Sequence, residues 1–145
     1  MLDSLFLAPA VSAIGEALGS AHADGGAIGV VGHAGLVRAL KASREVVAID
    51  LSARAANKLG SKAIADVAPA SLAAVIAVDV SKRGGWTELL AAWTAVVRDG
   101  GAVVLLDRGR AAEAARRALC AGLTELEQRH AGRAVVTSGL VTHLL

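Results

Sequence analysis

Residues 27–50, AIGVVGHAGLVRALKASREVVAID, constrain the fold more than any other stretch of the chain. Ala27–Val31 is short, wholly apolar and bounded by glycine, which predicts a strand buried on both faces, as in a parallel sheet covered by helices. It runs into Gly32-His33-Ala34-Gly35, after which Leu36, Val37 and Leu40 recur at helical spacing. A second apolar segment, Glu45 to Asp50, closes the unit with a carboxylate. A loop that opens a helix presents unpaired backbone N–H groups, and glycines let a ligand approach the backbone. Asp50, at the tip of the next strand, can bind the two hydroxyls of a ribose. The unit therefore suits a nucleoside-bearing cofactor.

The rest of the chain repeats the alternation. Pro9 suits the first turn of a helix, with Val11, Ile14 and Leu18 on one face and Gly19 as its stop. Ser52 caps a helix through Lys58 that Gly60 ends. Lys62–Asp66 is expected as a brief third strand. Leu72–Val78 (LAAVIAV) is the most continuous apolar run and reads as the fourth strand, with Asp79 at its end. A helix follows from Trp86 to Arg98, then Gly100-Gly101, a fifth strand at Ala102–Leu106 and a helix at Arg110–Cys120. Leu123–Arg129 and Ala134–Leu144, joined by His130-Ala131-Gly132-Arg133, read as a hairpin. Five β-then-α units closed by a hairpin define an α/β sheet with helices on both faces. Residues 1–26 form an N-terminal helical segment and residues 27–145 the α/β domain, as one compact unit.

With 54% hydrophobic and 19% charged residues, 145 residues build a core-rich domain rather than a disordered chain. Aromatics are nearly absent (Phe6, Trp86 and Trp93), so the core must be made of Ala, Val and Leu. The net charge of +2 is spread along the chain, and only Arg108, Arg110, Arg116 and Arg117 cluster, interleaved with Asp107 and Glu113. That pattern reads as a solvated helix face rather than a nucleic-acid surface. Cys120 is the single cysteine, which excludes an internal disulfide and paired-cysteine metal sites and fits a cytoplasmic location. The first twenty residues lack the basic region of a signal peptide, and no apolar run reaches the roughly 20 residues of a membrane span.

Several residues carry a functional and a structural reading side by side. Asp50 either meets a ligand or caps a helix. Asp66 either contacts a ligand or begins the turn before Pro69. Asp79, at a strand end where open α/β sheets bind ligands, could serve as a general base, or cap the turn into Ser81. His33 could act as a base, or hydrogen-bond to the backbone. His22, His130 and His143 show no metal-ligand spacing. Ser81 and Ser138 lack the surroundings of a hydrolase nucleophile. Cys120 reads as buried and inert, and the two tryptophans, seven apart, as packing between helix and sheet.

On these motifs the chain resembles the class I S-adenosylmethionine-dependent methyltransferases, from Ala27 to Leu144. The resemblance implies a Rossmann-like, seven-stranded, mostly parallel sheet with a C-terminal antiparallel hairpin. It implies a cofactor, S-adenosylmethionine, held by Val31, Gly32, His33, Ala34 and Gly35 at the methionine part. Asp50 with Leu51 would lie at the ribose, and Asp66 with Val67 at the adenine. Asp79, in VIAVDV, takes the position where catalytic groups sit, and RDGGAVVLL carries the glycine pair before the fifth strand. The first motif departs from the pattern: its acid position falls on Gly29, its central glycine on His33, and Gly32 is displaced by one. Three functions follow as expectations. The first is a methyltransferase acting on a small molecule, with neither nucleic acid nor membrane as partner. The second is a non-catalytic relative kept as an interaction module, alone or as a homo-oligomer. The third is a dinucleotide-binding protein.

Overall fold

The strands sort their side chains into two apolar layers with a period of two, as buried strands do, except at Leu72, where the register shifts. Ile28, Val30, Ala74, Ile76, Val78, Ala102, Val104 and Leu106 face one layer. Val31, Val75, Ala77, Val103 and Leu105 face the other. The computed structural model describes residues 2–21, 23, 25–80 and 84–143, with side chains from Ala8 onward. His22, Ser81 and Leu144 lie outside the described residues.

The elements run α1 (Leu2–Ser20), β1 (Ile28–Val31), α2 (Ala34–Lys41), β2 (Val46–Ile49), α3 (Ala53–Leu59), β3 (Leu72–Val78), α4 (Trp86–Val96), β4 (Val97–Asp107), α5 (Ala111–Cys120), β5 (Thr124–Ala131) and β6 (Ala134–Leu140). The sheet order is β2-β1-β3-β4-β6-β5. β2, β1, β3 and β4 are parallel, and β6 is antiparallel to β4 and β5. The first layer is covered by α1, through Ala10, Ala13, Ile14, Ala17 and Leu18, and by Leu36, Val37 and Leu40 of α2. The second is covered by Leu90, Trp93 and Val96 of α4 and Ala118 of α5. Helices therefore cover both faces, and Trp93 is the bulkiest of the fully buried side chains in this alanine- and valine-built core.

The sheet has six strands, not seven. Lys62 makes a single bridge to Ile49, and Ile64–Asp66 then turns into a 3-10 helix. The Ile64 N–H donates to the Asp50 carboxylate (3.3 Å), and the Asp66 and Val67 N–H groups donate back to Ala63 and Ile64. Those local bonds remove the backbone groups a third strand would need, so the ladder stops after one residue.

Other boundaries shift for equally local reasons. Pro9 lies inside α1 rather than at its start, on the exposed side, where it leaves the carbonyl four residues earlier without a helical donor. α3 begins and ends as expected, with the Ser52 hydroxyl accepting from Ala55 N–H and Gly60 at the C-cap. β4 starts at Val97, and residues 98–101 bulge out of it: Leu72 pairs with Val97 but Ala74 with Ala102. The C-terminal segment fills the gap, through Gly100 N–H to Val141 C=O and Val141 N–H to Gly101 C=O. The hairpin turn is two residues, Gly132-Arg133, with positive φ only at the glycine, the pattern of a type II′ turn.

Candidate cofactor site

The strand order reverses between β1 and β3. β1 leads through α2 to β2 on one side, while β3 leads through α4 to β4 on the other. The crevice outside the C-terminal ends of these strands is where open α/β sheets bind ligands. Pairing of Val31 with Ile49 and with Ala77 sets Gly32 level with Asp50 and Val78, with Asp79 one residue further out. Pairing of Val78 with Leu106 sets Asp79 level with Asp107. The topology thus brings Gly32, His33, Asp50, Asp79 and Asp107 to one rim.

Gly32 turns the chain at φ +68°, and its N–H donates to Ile49 C=O, so the turn is anchored to β2. His33 is extended and caps α2: its Nδ1 accepts from Leu36 N–H at 3.0 Å. Accepting there leaves the ring proton on Nε2. The ring thereby takes one of the helix N–H groups that an anionic ligand group would use, which is the backbone-bonding reading of this histidine. Ala34 and Gly35 form the first turn of α2, and Val31 is buried against the second layer.

Asp50 is exposed at the end of β2, with φ +51°, and its carboxylate is engaged by Ile64 N–H. Its carboxylate is thus solvated, and its bond goes to the turn at Ile64 rather than to a helix N-terminus. Leu51 donates its N–H to the Ser61 hydroxyl (3.1 Å) and rests its side chain on the first layer. Asp66 is exposed on the 3-10 turn, and Val67 is buried in the second layer.

Asp79 differs from these in the burial of one carboxylate oxygen. Like Asp50 it is left-handed, at φ +58°, a conformation that aspartate adopts more readily than most side chains. Its N–H donates to Leu106 C=O at 2.8 Å. Its Oδ1 is buried and has no hydrogen-bond partner among the described residues. An orphaned carboxylate oxygen is costly, and a ligand ammonium, hydroxyl or amine would satisfy it.

The position of the expected first-motif acid is occupied otherwise. Gly29 is buried in β1, and a Cβ there would stand 2.7 Å from Ile49 Cδ1 and 2.9 Å from Leu72 Cδ1. Apolar side chains fill the space that an acid would need.

Three features escaped the sequence reading. Asp107 is not part of a solvated helix face; it ends β4 and is fully buried. The signal was present, because AVVLLD repeats the pattern of an apolar run ending in aspartate seen in VVAID and VIAVD. Arg117 is not solvated either, since only 12% of its side chain is exposed and its Nη1 donates to Val80 C=O. Cys120, expected buried, is exposed at the end of α5. Of the two tryptophans, Trp93 packs between helix and sheet as expected, and Trp86, half-buried against the same layer, also lies beneath Arg116 and Arg117, at 5.5 and 5.1 Å from its ring centroid. No group of three His, Cys, Asp or Glu among the described residues is arranged to hold a metal, and no helix there is long and apolar enough to cross a membrane.

No family model and no curated protein matches the sequence. Solved structures do match. A methyltransferase from Aquifex aeolicus, described as S-adenosylmethionine-dependent, superposes with a TM-score of 0.64 over 82% of this chain and 84% of its own, at 13% identity. The chain has the class I methyltransferase fold. A chain of the complex between the Haloferax volcanii Trm112 methyltransferase activator and its candidate methyltransferase gives 0.66 over 84% of each chain, at 13% identity. A T. thermophilus 16S rRNA methyltransferase in complex with AdoMet and guanosine gives 0.61 over 81% of this chain at 15% identity. The chain spans only 36% of that rRNA enzyme. Against the expected class I methyltransferase sheet, one edge strand here is reduced to the Lys62 bridge, while the antiparallel C-terminal hairpin is complete.

Proposed function

We propose that the chain binds S-adenosylmethionine across this rim and, with it, methylates a small molecule in the cytoplasm. The observation that carries the reading is Asp79: a buried carboxylate oxygen with no partner among the described residues, in a left-handed turn beside the β1–β3 switch point of a methyltransferase fold. The backbone of Gly32–Gly35 would meet the methionine part, Asp50 and Leu51 the ribose, and Asp66 and Val67 the adenine edge. When bound, the cofactor supplies an electrophilic methyl group. Asp79 then orients the acceptor and takes its proton, and positioning supplies most of the rate.

A second reading rests on different residues. The apolar filling around Gly29 and the ring of His33 on Leu36 N–H both favour an interaction module that has lost the cofactor. That one similar structure comes from a methyltransferase–activator complex supports a protein partner in this reading.

Isothermal titration with S-adenosylmethionine and S-adenosylhomocysteine, with NAD as control, separates the readings. Micromolar binding of the first two, weakened by Asp50→Asn and Asp79→Asn, supports the cofactor site. Binding of none at millimolar concentration refutes it and leaves the interaction module, while binding of NAD alone points to a dinucleotide protein.

A further inference from the structure

The segment that presents Asp79 is gripped from outside the sheet by one side chain, and this grip has a visible architecture. Asp79 N–H is held by β4, through Leu106 C=O. The next residue, Val80, is fully buried in the second layer, and its carbonyl accepts from Arg117 Nη1, thirty-seven residues away on α5. The Asp79–Val80 pair is therefore fixed at its N–H end by a strand and at its C=O end by a guanidinium.

The guanidinium is itself fixed. Arg117 Nε donates to Glu113 Oε2 at 2.6 Å, and the group lies 5.1 Å from the Trp86 ring centroid at the start of α4. Glu113 is in turn clamped by Arg116, through Nε at 3.0 Å and Nη2 at 2.6 Å. A charge already held by Glu113 and Trp86 loses little further freedom in bonding a carbonyl, and a charge-assisted bond of this kind is stronger than a neutral one. The carbonyl it fixes belongs to the residue next to Asp79, whose carboxylate carries the buried, unbonded oxygen.

We propose that Arg117 is a positioning residue for Asp79: with Glu113 and Trp86 it locks the Val80 carbonyl, and so holds the Asp79 carboxylate at the rim of the crevice. The inference rests on Asp79 belonging to a ligand site, and its test keeps the two apart. The Asp79 carboxyl is followed by carbon-13 NMR, with Asp99 as an internal reference, in wild type, Arg117→Met, Arg117→Lys and Glu113→Gln. Met keeps the stem over Trp86, Lys keeps the charge and a donor, and Gln only loosens the clamp, so the three perturb the fold to different degrees. S-adenosylhomocysteine affinity is measured on the same samples.

Arg117→Met is expected to move the Asp79 signal and leave that of Asp99 unchanged. Its affinity falls about ten-fold, the scale set by misplacing one hydrogen-bonding group. Lys recovers most of both effects, and Gln gives a smaller loss. An unmoved Asp79 signal in Arg117→Met, or full affinity, overturns the proposal. If wild type binds no S-adenosylhomocysteine, the cofactor reading fails by itself, and the Asp79 signal alone decides whether Arg117 positions this residue.

Discussion

Gly101 marks the point where β4 leaves its bulge and rejoins β3, and a single methyl group there has nowhere to go. A Cβ would stand 2.5 Å from the Ala73 carbonyl oxygen, 2.6 Å from Val97 Cγ1 and 3.0 Å from Arg98 C=O. Against a close carbon–oxygen contact of roughly 3.3 Å, the first of these is an overlap of about 0.8 Å with backbone, in the middle of the sheet. No side-chain rotation relieves it, and β3 and β4 must part locally. Overpacking of this kind costs about 1–3 kcal/mol, and loosening one ladder hydrogen bond adds about 1 kcal/mol. Gly101→Ala is therefore expected to lose about 3 kcal/mol. At about 3 °C per kcal/mol for a chain of this size, the melting temperature falls by about 9 °C. The neighbouring glycine is the control. Gly100 has φ +81° but nothing within 4 Å of its would-be Cβ, so Gly100→Ala carries only the left-handed penalty of about 1–2 kcal/mol. Urea and thermal unfolding followed by circular dichroism measure both. If Gly101→Ala proves no more destabilising than Gly100→Ala, the steric reasoning is wrong.

His33→Ala is expected to cost about 1 kcal/mol through loss of the α2 cap, with faster amide exchange at Leu36, whereas His33→Ser restores both. Acid unfolding should expose the Arg116–Glu113–Arg117 cluster. Hydrogen bonds from the two guanidinium groups hold the Glu113 carboxyl down at about 2 against an ordinary 4.5. Its contribution to stability is thus fully present above pH 4.5 and is lost as the pH falls towards 2. The difference in melting temperature between wild type and Glu113→Gln should be constant near neutrality and close to zero at the acid end of that window. Cys120 should react with a thiol reagent in the folded protein at close to the rate of the denatured chain, since it is exposed on α5.

Where the sequence speaks through continuous apolar runs, the strands lie where expected and only their ends move. Leu72–Val78 is β3 without adjustment, because a strand buried on both faces tolerates no polar interruption. The Gly32 turn, the Ser52 and Gly60 caps and the hairpin were legible because each rests on a residue type with one favoured local geometry. The third strand was misread because SKAIAD has strand-like content but too few apolar residues to hold a ladder. The choice was then made by Asp50, fourteen residues earlier, binding Ile64 N–H. Of the candidate site, the rim positions followed from topology, and the state of each side chain did not. That His33 would fold back onto Leu36, or that Gly29 would be walled in by Ile49 and Leu72, depends on packing between segments distant in sequence. Arg117 escaped for the same reason: in the chain it is one arginine of a charged helix, and only the docking of α5 brings it to Val80.

The truncated sheet edge divides the rim into unequal halves. Asp79 projects from β3, which has strands on both sides along its length, whereas Asp50 ends a four-residue strand supported by β1 and the one bridge at Lys62. Cooperative stability falls from the interior of a sheet to its margins. The Asp50 margin thus opens at a lower free energy than the Asp79 interior, and a ligand spanning both must order the margin as it binds. For the proposed cofactor, affinity and local folding at that edge would then be one equilibrium, and a mutation that tightens β2 far from the ligand would strengthen binding as a new contact would.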